Sequence, residues 1–564
     1  MKRFPNKSLF FHAALFLFHP AVVAQTIHLR DSLESVIVTA TRTNSDHYVK
    51  PGLTKLGETD FSRGAALLGT PDIIKTLHTL PGTASGAEIF SGLFVRGGDG
   101  SDNLYLLDGV PLYQVSHLGG LFSSFNTDAV SGLNFYTGGF PAKYGGRLSS
   151  VVDVTTKEGD YEHYHGVFSM GLIDGRVRLE GPIVKNKISF AVSARRTWLD
   201  LIAAPALKLY NKKNKKDLSE DYQFSDINAR IDFRLSDKDK LSFHYYTGGD
   251  KLLYDEKRNA SNHQKAFEST SETEMAFKCG NSLYSASYRH NTDDGLLIKI
   301  TGYCSDNRSD MAYDYYVKAV SDGIESLEKI NEGNFGRVTD FGATAQASYY
   351  TGSGHDLNAG ATLVWHKYNP SRTFVKSNGG EDQKQSFALP YDGSEWAVYA
   401  SDAFQLGGFV MADLGLRYSG YSADGTDYSA LEPRMTLSAD LSRNISLTLA
   451  YSKMAQYSHL VAASFLDLPT NLWMPSTAEV GPMMSDLYSA GICYRPGSSW
   501  FMDIQGYYKH MSNLLYYDGV DSVFPPIERW NDSFSRGTGR AYGAECQMEY
   551  RSASISAALY YTLS

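Results

Sequence analysis

The stretch Ile227-Asn228-Ala229-Arg230-Ile231-Asp232-Phe233-Arg234-Leu235 alternates apolar and polar residues without a break. Successive side chains of an extended chain point to opposite faces, so this run reads as a strand with one apolar and one polar face. Met435, Leu437, Ala439 and Leu441 repeat the pattern, as do Leu447, Leu449 and Tyr451, and Ala412, Leu414, Leu416 and Tyr418. From about residue 163 onward the chain is a ladder of such segments.

The connections carry a rhythm of their own. Short polar turns are expected at 236–240, 291–295, 353–355, 407–408, 442–444 and 496–499, and long loops near 198–221, 251–273, 310–335, 370–393, 457–484 and 513–538. Tight turns at one end of the strands and long loops at the other are the signature of an outer-membrane β-barrel. Hydrocarbon leaves no backbone group unpaired, so only a barrel makes such strands viable in lipid. A soluble β-sandwich would need neither the rhythm nor so many tyrosines.

Composition agrees. Aromatic residues make up 13%, with 38 tyrosines, yet the mean hydropathy is only −0.30. That combination suits one apolar face bordered by interfacial girdles. The net charge of −9 argues against a nucleic-acid partner. Cys279, Cys304, Cys493 and Cys546 lie far apart with no C-x-x-C among them, which removes the usual zinc and thioredoxin spacings and favours packed strand residues.

The N-terminus states the compartment. Lys2, Arg3 and Lys7 precede an apolar run from Leu9 to Phe18, and Val22-Val23-Ala24 offers small residues for cleavage, so residues 1–24 read as a secretory signal. Beyond it no apolar run of about 18 residues follows, so no transmembrane helix is expected.

Residues 46–157 break the strand rhythm. Thr70-Pro71-Asp72 offers an N-cap, a first-turn proline and an acid, with Ile73, Ile74, Leu77 and Leu80 on one helical face and Pro81-Gly82 as the stop. Short strands are expected at 93–96, 103–107, 133–137 and 150–156, giving a compact α+β unit. Within it, Gly97-Gly98-Asp99-Gly100-Ser101-Asp102-Asn103-Leu104-Tyr105 fits the calcium-binding nonapeptide of β-helices letter by letter. That device holds its ion between successive turns, and no second copy follows. The glycines are therefore assigned to a turn joining two short strands of this unit, with Asp108-Gly109 as the next turn.

The string "FVRGGDGSDNLYLLDGVPLYQVSHLGGLFSSFNTDAVSGLNFYTGGFPAKYGGRLSSVVDVTTKEG" resembles the plug domain of TonB-dependent outer-membrane receptors. The likeness continues through "LEPRMTLSADLSRNISLTLAYSKMAQYSHL", "LPTNLWMPSTAEVGP" and "GRAYGAE", and covers residue 31 to the end, closest to the Bacteroidetes-type branch. It implies a 22-stranded barrel with the plug in its lumen and uptake driven by TonB, with ExbB and ExbD in the inner membrane. The domain expectation is a TonB-box segment at 25–45, a plug at 46–157 and the barrel at 158–564.

Functional residues are placed on that likeness. Val36, Ile37, Val38, Thr39 and Ala40 occupy the position of the TonB box; such a free extended segment can add as a strand to a partner sheet, and an ordinary first plug strand is the lesser alternative. Arg96 and Arg147 match arginines that face barrel carboxylates in the family, and Glu545 matches one of the two glutamates. Ser489 stands where the other is expected. Enclosed charges need such partners because unpaired desolvation is costly.

Ser85, Glu88, Tyr113 and His117 are expected in plug loops that face a ligand. Catalytic signals are absent: there is no H-E-x-x-H and no phosphate loop, and the pair His163 and His165 lacks a third ligand, so neither enzyme, metal nor cofactor is expected. The expected partners are TonB, outer-membrane lipid, a small-molecule or oligomeric nutrient and a surface lipoprotein; iron chelates, cobalamin, oligosaccharides and peptides all remain open as cargo. A passive outer-membrane pore or a structural barrel without energy coupling is the alternative function.

The end of the chain carries one more expectation. About seventeen strands are counted, against the even number of a closed bacterial barrel. Ile555, Ala557, Leu559, Tyr561 and Leu563 still alternate when the sequence stops at Ser564. A truncated frame or fragment is therefore expected, with its first and last barrel strands unpaired at their edges.

Overall fold

The computed structural model describes residues 50–564 apart from 86–91, 215, 263–266, 322–323, 379–380, 462–470, 518–529 and 553. The signal segment and Val36 to Ala40 lie outside the described residues, as does Glu88.

The plug is built on a five-stranded sheet of β1 (Leu53–Gly57), β2 (Asn103–Leu107), β3 (Val110–Leu112), β4 (Val130–Tyr136) and β5 (Ser150–Thr156), in the order β1-β4-β5-β2-β3. Only β5 and β2 run parallel. Asp108 and Gly109 both take positive φ, 53° and 88°, the paired left-handed geometry of a two-residue hairpin turn between β2 and β3. The Asp108 carboxylate accepts from the Thr156 amide at 2.9 Å and from its hydroxyl at 2.6 Å, fixing that turn to β5.

Helix Ile73–Leu77 buries Ile73, Ile74 and Leu77 against the sheet, and Leu80 follows them into the same core. Its N-cap is Asp72, not Thr70. The Asp72 side chain accepts from the Lys75 amide at 2.9 Å, while Thr70 and Pro71 form a short strand with Ala66 and Leu67. An aspartate satisfies the orphan first-turn amides at least as well as a threonine, so the helix starts later than expected.

The glycine-rich stretch also differs from expectation. Leu93–Val95 pairs with Thr83–Ser85 and does not pair with β2. Between Val95 and β2 runs a 3-10 turn, Gly100–Asp102, capped by Asp99. Gly97 does need its glycine: φ is +71°, and a Cβ would sit 2.4 Å from that of Ala541. Gly98 has an ordinary φ, yet a Cβ there would strike the Ser149 hydroxyl, whereas nothing in the geometry demands a glycine at 100.

The rest of the chain is one antiparallel sheet of nineteen strands from His165–Met170 to Ser556–Leu563. Two of them, Ser371–Asn378 and Glu381–Ala388, form a hairpin set on Ile324–Tyr350, which leaves seventeen in the wall itself. Among the described residues, His165–Met170 ladders only to Asp174–Val184 and Ser556–Leu563 only to Phe534–Arg551. The sheet is open between them.

Each expected short turn is a tight reversal, but several expected loops are not loops. The strands Asp239–Asn262, Phe267–Asn291, Leu296–Ser321 and Ile324–Tyr350 run 24 to 27 residues and pair throughout. About ten residues cross a bilayer, so these hairpins continue far beyond it as paired sheet. Residues 198–221 instead hold a helix, Leu199–Asn214, and 370–393 hold the added hairpin. Polar sequence hid these elements, because strand walls beyond lipid no longer need an apolar face.

In the opening stretch the polar face is the buried one. Asn228 and Asp232 are buried, while Ile227 and Ile231 lie exposed on the outside. All four cysteines are free, Cys279 and Cys493 buried and the other two partly covered.

Candidate functional site

Plug and wall meet through clusters of charge, each joining a plug turn to lumen-facing strand positions. Arg96 follows the strand Leu93–Val95 in a left-handed conformation, φ 45°. Its guanidinium grips Glu545 with two parallel hydrogen bonds of 2.7 Å, donates to Gln505 at 3.0 Å and to the Thr137 carbonyl at 3.0 Å, and lies 5.0 Å from the centre of the Tyr507 ring. Arg96 and Glu545 are both buried. A bidentate fork of this kind is the geometry that offsets desolvation. Behind it Lys509, fully buried, donates to the Ser149 hydroxyl at 3.2 Å. Burial, partly opposed by Lys509, pushes the plug's Asp102 carboxyl up to about 6.

Arg147 does not make the matching pair. It stacks on aromatic rings, 4.7 Å from the centre of Trp473 and 5.9 Å from that of Tyr113, and among the described residues no carboxylate lies within ion-pair distance. The second clamp is instead made of barrel residues reaching inward. Glu432 is buried between Arg417, at 3.6 Å, and Arg434, at 3.0 Å. These arginines donate to the plug carbonyls of Lys143 and Tyr144, each at 3.3 Å. Ser489, in place of an acid, is buried and carries no charge to hold an arginine.

His117, expected on an open plug loop, is held in a buried cluster of charge. Its ring is buried, stacked 4.5 Å from Phe224, with Nδ1 2.9 Å from Asp250 and Nε2 3.0 Å from Asp226. Burial alone would lower the imidazole, but Asp226 and Asp250 on either side outweigh it and push it up to about 9. Arg195 donates to Asp226 at 2.8 Å and 2.6 Å, Tyr246 also donates to Asp226, and Tyr222 donates to Asp250. Two cations and two carboxylates thus close a neutral cluster. With an acceptor on each side, both ring nitrogens must carry protons.

A third cluster ties the Asp108 turn to the wall. Arg230 holds Asp232 at 2.9 Å and Glu158 at 3.1 Å and approaches Asp108 at 3.8 Å, with His244 3.2 Å from Asp108. Burial would raise Asp108, but His244 and Arg230 hold it below the usual carboxylate range.

On the far side of the plug, Tyr113 donates to Asp340 at 2.6 Å, and His366 bonds the same carboxylate at 2.8 Å. Trp473 belongs to a small hairpin, Ser458–Val461 with Leu472–Pro475, that folds inward onto Tyr368 and Tyr113. Ser85 is exposed at the end of its strand. His165 bonds only Asp160, at 2.9 Å, and no metal-ligand cluster occurs among the described residues.

Arg195, Asp226, Asp250, Arg417, Glu432 and Arg434 are not among the expected site residues. The available signal was charge at the non-apolar parity of a strand, as in Arg230 and Asp232 of the opening stretch; in a barrel that parity is the interior.

Comparison with known proteins follows this geometry. Two family descriptions match: "TonB-dependent Receptor Plug Domain" over residues 65–152 and "TonB dependent receptor-like, beta-barrel" over 209–564. No curated protein matches. Among solved structures, Pseudomonas aeruginosa FpvA bound to a heterologous pyoverdine is similar at 13% identity, with 91% of this chain and 70% of that one covered and a TM-score of 0.59. A mutant of the P. aeruginosa ferric enterobactin receptor PfeA, in complex with enterobactin, follows at 15% identity, 91% and 81% coverage and 0.58. The siderophore receptor PirA of Acinetobacter baumannii stands at 12%, 91% and 80%, and 0.57. The barrel description alone spans more than half of the sequence, with the plug description preceding it, and so the chain belongs to the TonB-dependent receptors of the Gram-negative outer membrane, which are not enzymes.

Proposed function

We propose that this protein imports a scarce nutrient, an iron chelate first among the candidates, across the outer membrane with energy delivered by TonB, ExbB and ExbD. The observation that carries the reading is the plug: a folded sheet inside the strand wall, fastened by buried charge clusters at Arg96, His117 and Asp108. A diffusion pore has no use for an obstructed lumen. Charge clusters can exchange partners in a way that an apolar seal cannot, which suits a plug that must move under an applied force. The siderophore receptors named above share the fold, and this favours iron chelates over cobalamin, oligosaccharides or peptides as cargo.

Val36, Ile37, Val38, Thr39 and Ala40 are the segment proposed to pair with TonB by strand addition. Ile37→Pro removes an amide donor and fixes φ. Chelate should then still bind at the surface while accumulation stops, and a proton uncoupler should stop accumulation in the unmodified protein. Uptake at an undiminished rate with the uncoupler present would make the protein a passive pore.

A further inference from the structure

Two segments of the plug run along the inner face of the wall, and they grip it with different chemistry. Residues 111–128 meet seven consecutive strands. Arg176 of Asp174–Val184 donates to the Thr127 hydroxyl at 3.0 Å and lies 3.6 Å from Asp128, and Arg195 of Ile188–Thr197 donates to the Ser123 carbonyl. His117 sits between Asp226 of Asp217–Arg234 and Asp250 of Asp239–Asn262, and the Leu118 amide donates to Asp250 at 3.1 Å. Asn281 of Phe267–Asn291 donates to the Gln114 carbonyl and accepts from its amide. Ser305 of Leu296–Ser321 donates to the Pro111 carbonyl at 3.0 Å, and Tyr113 donates to Asp340 of Ile324–Tyr350 at 2.6 Å. Lifting this segment takes the His117 cation away from two buried carboxylates, and separating buried charge is costly.

Residues 137–149 follow another arc of the wall. Arg417 of Val410–Ala423 and Arg434 of Thr426–Ser442 donate to the Lys143 and Tyr144 carbonyls, each at 3.3 Å. Ser485 of Met483–Tyr494 donates to the Leu148 carbonyl at 3.0 Å, and Lys509 of Trp500–Tyr517 donates to the Ser149 hydroxyl at 3.2 Å. Each of these plug acceptors is neutral. Arg417 and Arg434 keep Glu432 whether or not the loop is there, so its departure strands neither of them. Phe140 and Tyr144 share an apolar cluster with Met454 and Leu487, and Arg147 stacks on Trp473. These contacts separate no ion pair when they break.

The start of the same loop is wedged against the chain that enters the plug. The Thr137 amide donates to the Gly52 carbonyl at 2.8 Å. A Cβ on Gly139 would lie 2.6 Å from the Pro51 carbonyl oxygen, and one on Gly52 would lie 2.6 Å from the Gly138 amide nitrogen. Backbone meets backbone there without slack, so a displacement of residues 51 and 52 passes directly to 138 and 139.

We propose that residues 137–149 are a release loop and residues 111–128 a fixed belt. Tension on the N-terminal segment arrives at Pro51 and Gly52 and lifts the loop off the wall between Val410–Ala423 and Trp500–Tyr517, so the passage opens on that side. The belt stays on its seven strands. The proposal rests on the import reading and adds which part of the plug moves.

The test uses the full chain with Cys279, Cys304, Cys493 and Cys546 replaced by alanine. Single reporters are Ser149→Cys in the loop and Ser123→Cys in the belt, both buried; Ala142→Cys and Ser124→Cys, also buried, replace a reporter that fails to fold. In detergent with urea below the unfolding transition, the loop thiol should react with a maleimide about 10-fold faster than the belt thiol, a difference of ~1.4 kcal/mol between two local openings. Equal rates, or the belt first, would overturn the proposal.

In respiring cells in rich medium the loop thiol should label and the belt thiol should stay protected, and a proton uncoupler should protect both. A Cβ on Gly415 would lie 2.9 Å from that of Ala142, so Ala142→Cys with Gly415→Cys can close a disulfide. Added to Ser149→Cys, that bridge should abolish labelling until a reductant restores it. Labelling of loop and belt together would refute the fixed belt and leave import standing. If neither labels in respiring cells, the loop does not lift and the proposal fails. Loop labelling that is the same with the uncoupler removes energised import itself, and the release loop with it.

Discussion

The plug sheet and the barrel wall are both β-structure, yet they are inside out with respect to each other. Strand β5 of the plug is buried along nearly its whole length, with Val151, Val152 and Val154 fully covered in apolar cores. The wall strand Ile445–Gln456 instead shows Leu447 and Leu449 to the outside and buries Ser446, Thr448 and Ser452. A plug that keeps much of its grease within itself meets a wall whose inner face is polar. Their junction is therefore set largely by paired charge and hydrogen bonds, with a smaller apolar share at Tyr246, Leu283, Tyr303 and Val364. Apolar burial stabilises in proportion to area and without direction; paired charges are directional and can be broken one at a time. That difference separates what folds each part from what docks one in the other.

The comparison can be broken hardest at Glu545. Glu545→Ala leaves Arg96 buried without its carboxylate, and stranding one member of such a pair costs about 3–5 kcal/mol. Limited proteolysis should show the plug strands becoming cleavable while the wall stays resistant. Plug protection equal to that of the unmodified protein would mean that apolar contacts do the docking.

The wall can be tested at two adjacent residues. Leu449, half exposed on the outer face, should tolerate lysine poorly, with a loss of roughly 2–4 kcal/mol in lipid. Thr448→Ser, on the lumen side, should change stability by less than about 1 kcal/mol. Reversible unfolding in vesicles measures both, and equal effects would contradict the assignment of faces.

The His117 clamp adds a pH dependence. Its imidazole is raised from 6.5 to about 9 in the folded protein, so its contribution is fully present below the unfolded value and is lost as pH rises through about 9. Docking of the loop around His117 should weaken by roughly 2–3 kcal/mol between pH 6.5 and alkaline pH, visible as faster amide exchange in residues 116–123. His117→Gln should remove that dependence; its persistence in the variant would assign it elsewhere.

A smaller effect than those at Glu545, Leu449 and His117 is expected within the plug itself. Asp72→Ala removes the N-cap of helix Ile73–Leu77, worth about 1 kcal/mol in general. The same carboxylate also accepts from the Ser123 amide at 2.6 Å, so the loss should exceed that of an isolated cap. A thermal midpoint that does not fall would show that the helix is held by packing alone.

Much of the architecture was legible in the sequence because it is local. Alternation over nine residues, as in the run from Ile227, fixes a strand and its two faces, and Asp108-Gly109 needs only its own backbone geometry to define a hairpin. Where local signals compete, element boundaries fall a few residues from those expected. Asp72 rather than Thr70 caps the helix, and the strand after Gly92 pairs with Thr83–Ser85 instead of β2. The tall hairpins at 251–273 and 310–335 carry the sequence of loops, since their polar residues show no apolar period once the wall leaves lipid.

The candidate site was legible only where a family likeness pointed to it, and the tertiary structure decided its chemistry. By itself the sequence determined the strand ladder, the separate plug, and the parity on which charges would face inward. It could not say which charges would meet. His117 lies 109 residues from Asp226 and 133 from Asp250, and Arg96 lies 449 from Glu545. Arg96 and Arg147 carry the same side chain, yet one is placed against a carboxylate and the other against a tryptophan. The reason is physical: periodicity records which way a side chain points from its own backbone, while an ion pair across a lumen depends on the curvature and register that bring two distant strands and a plug turn within three ångströms.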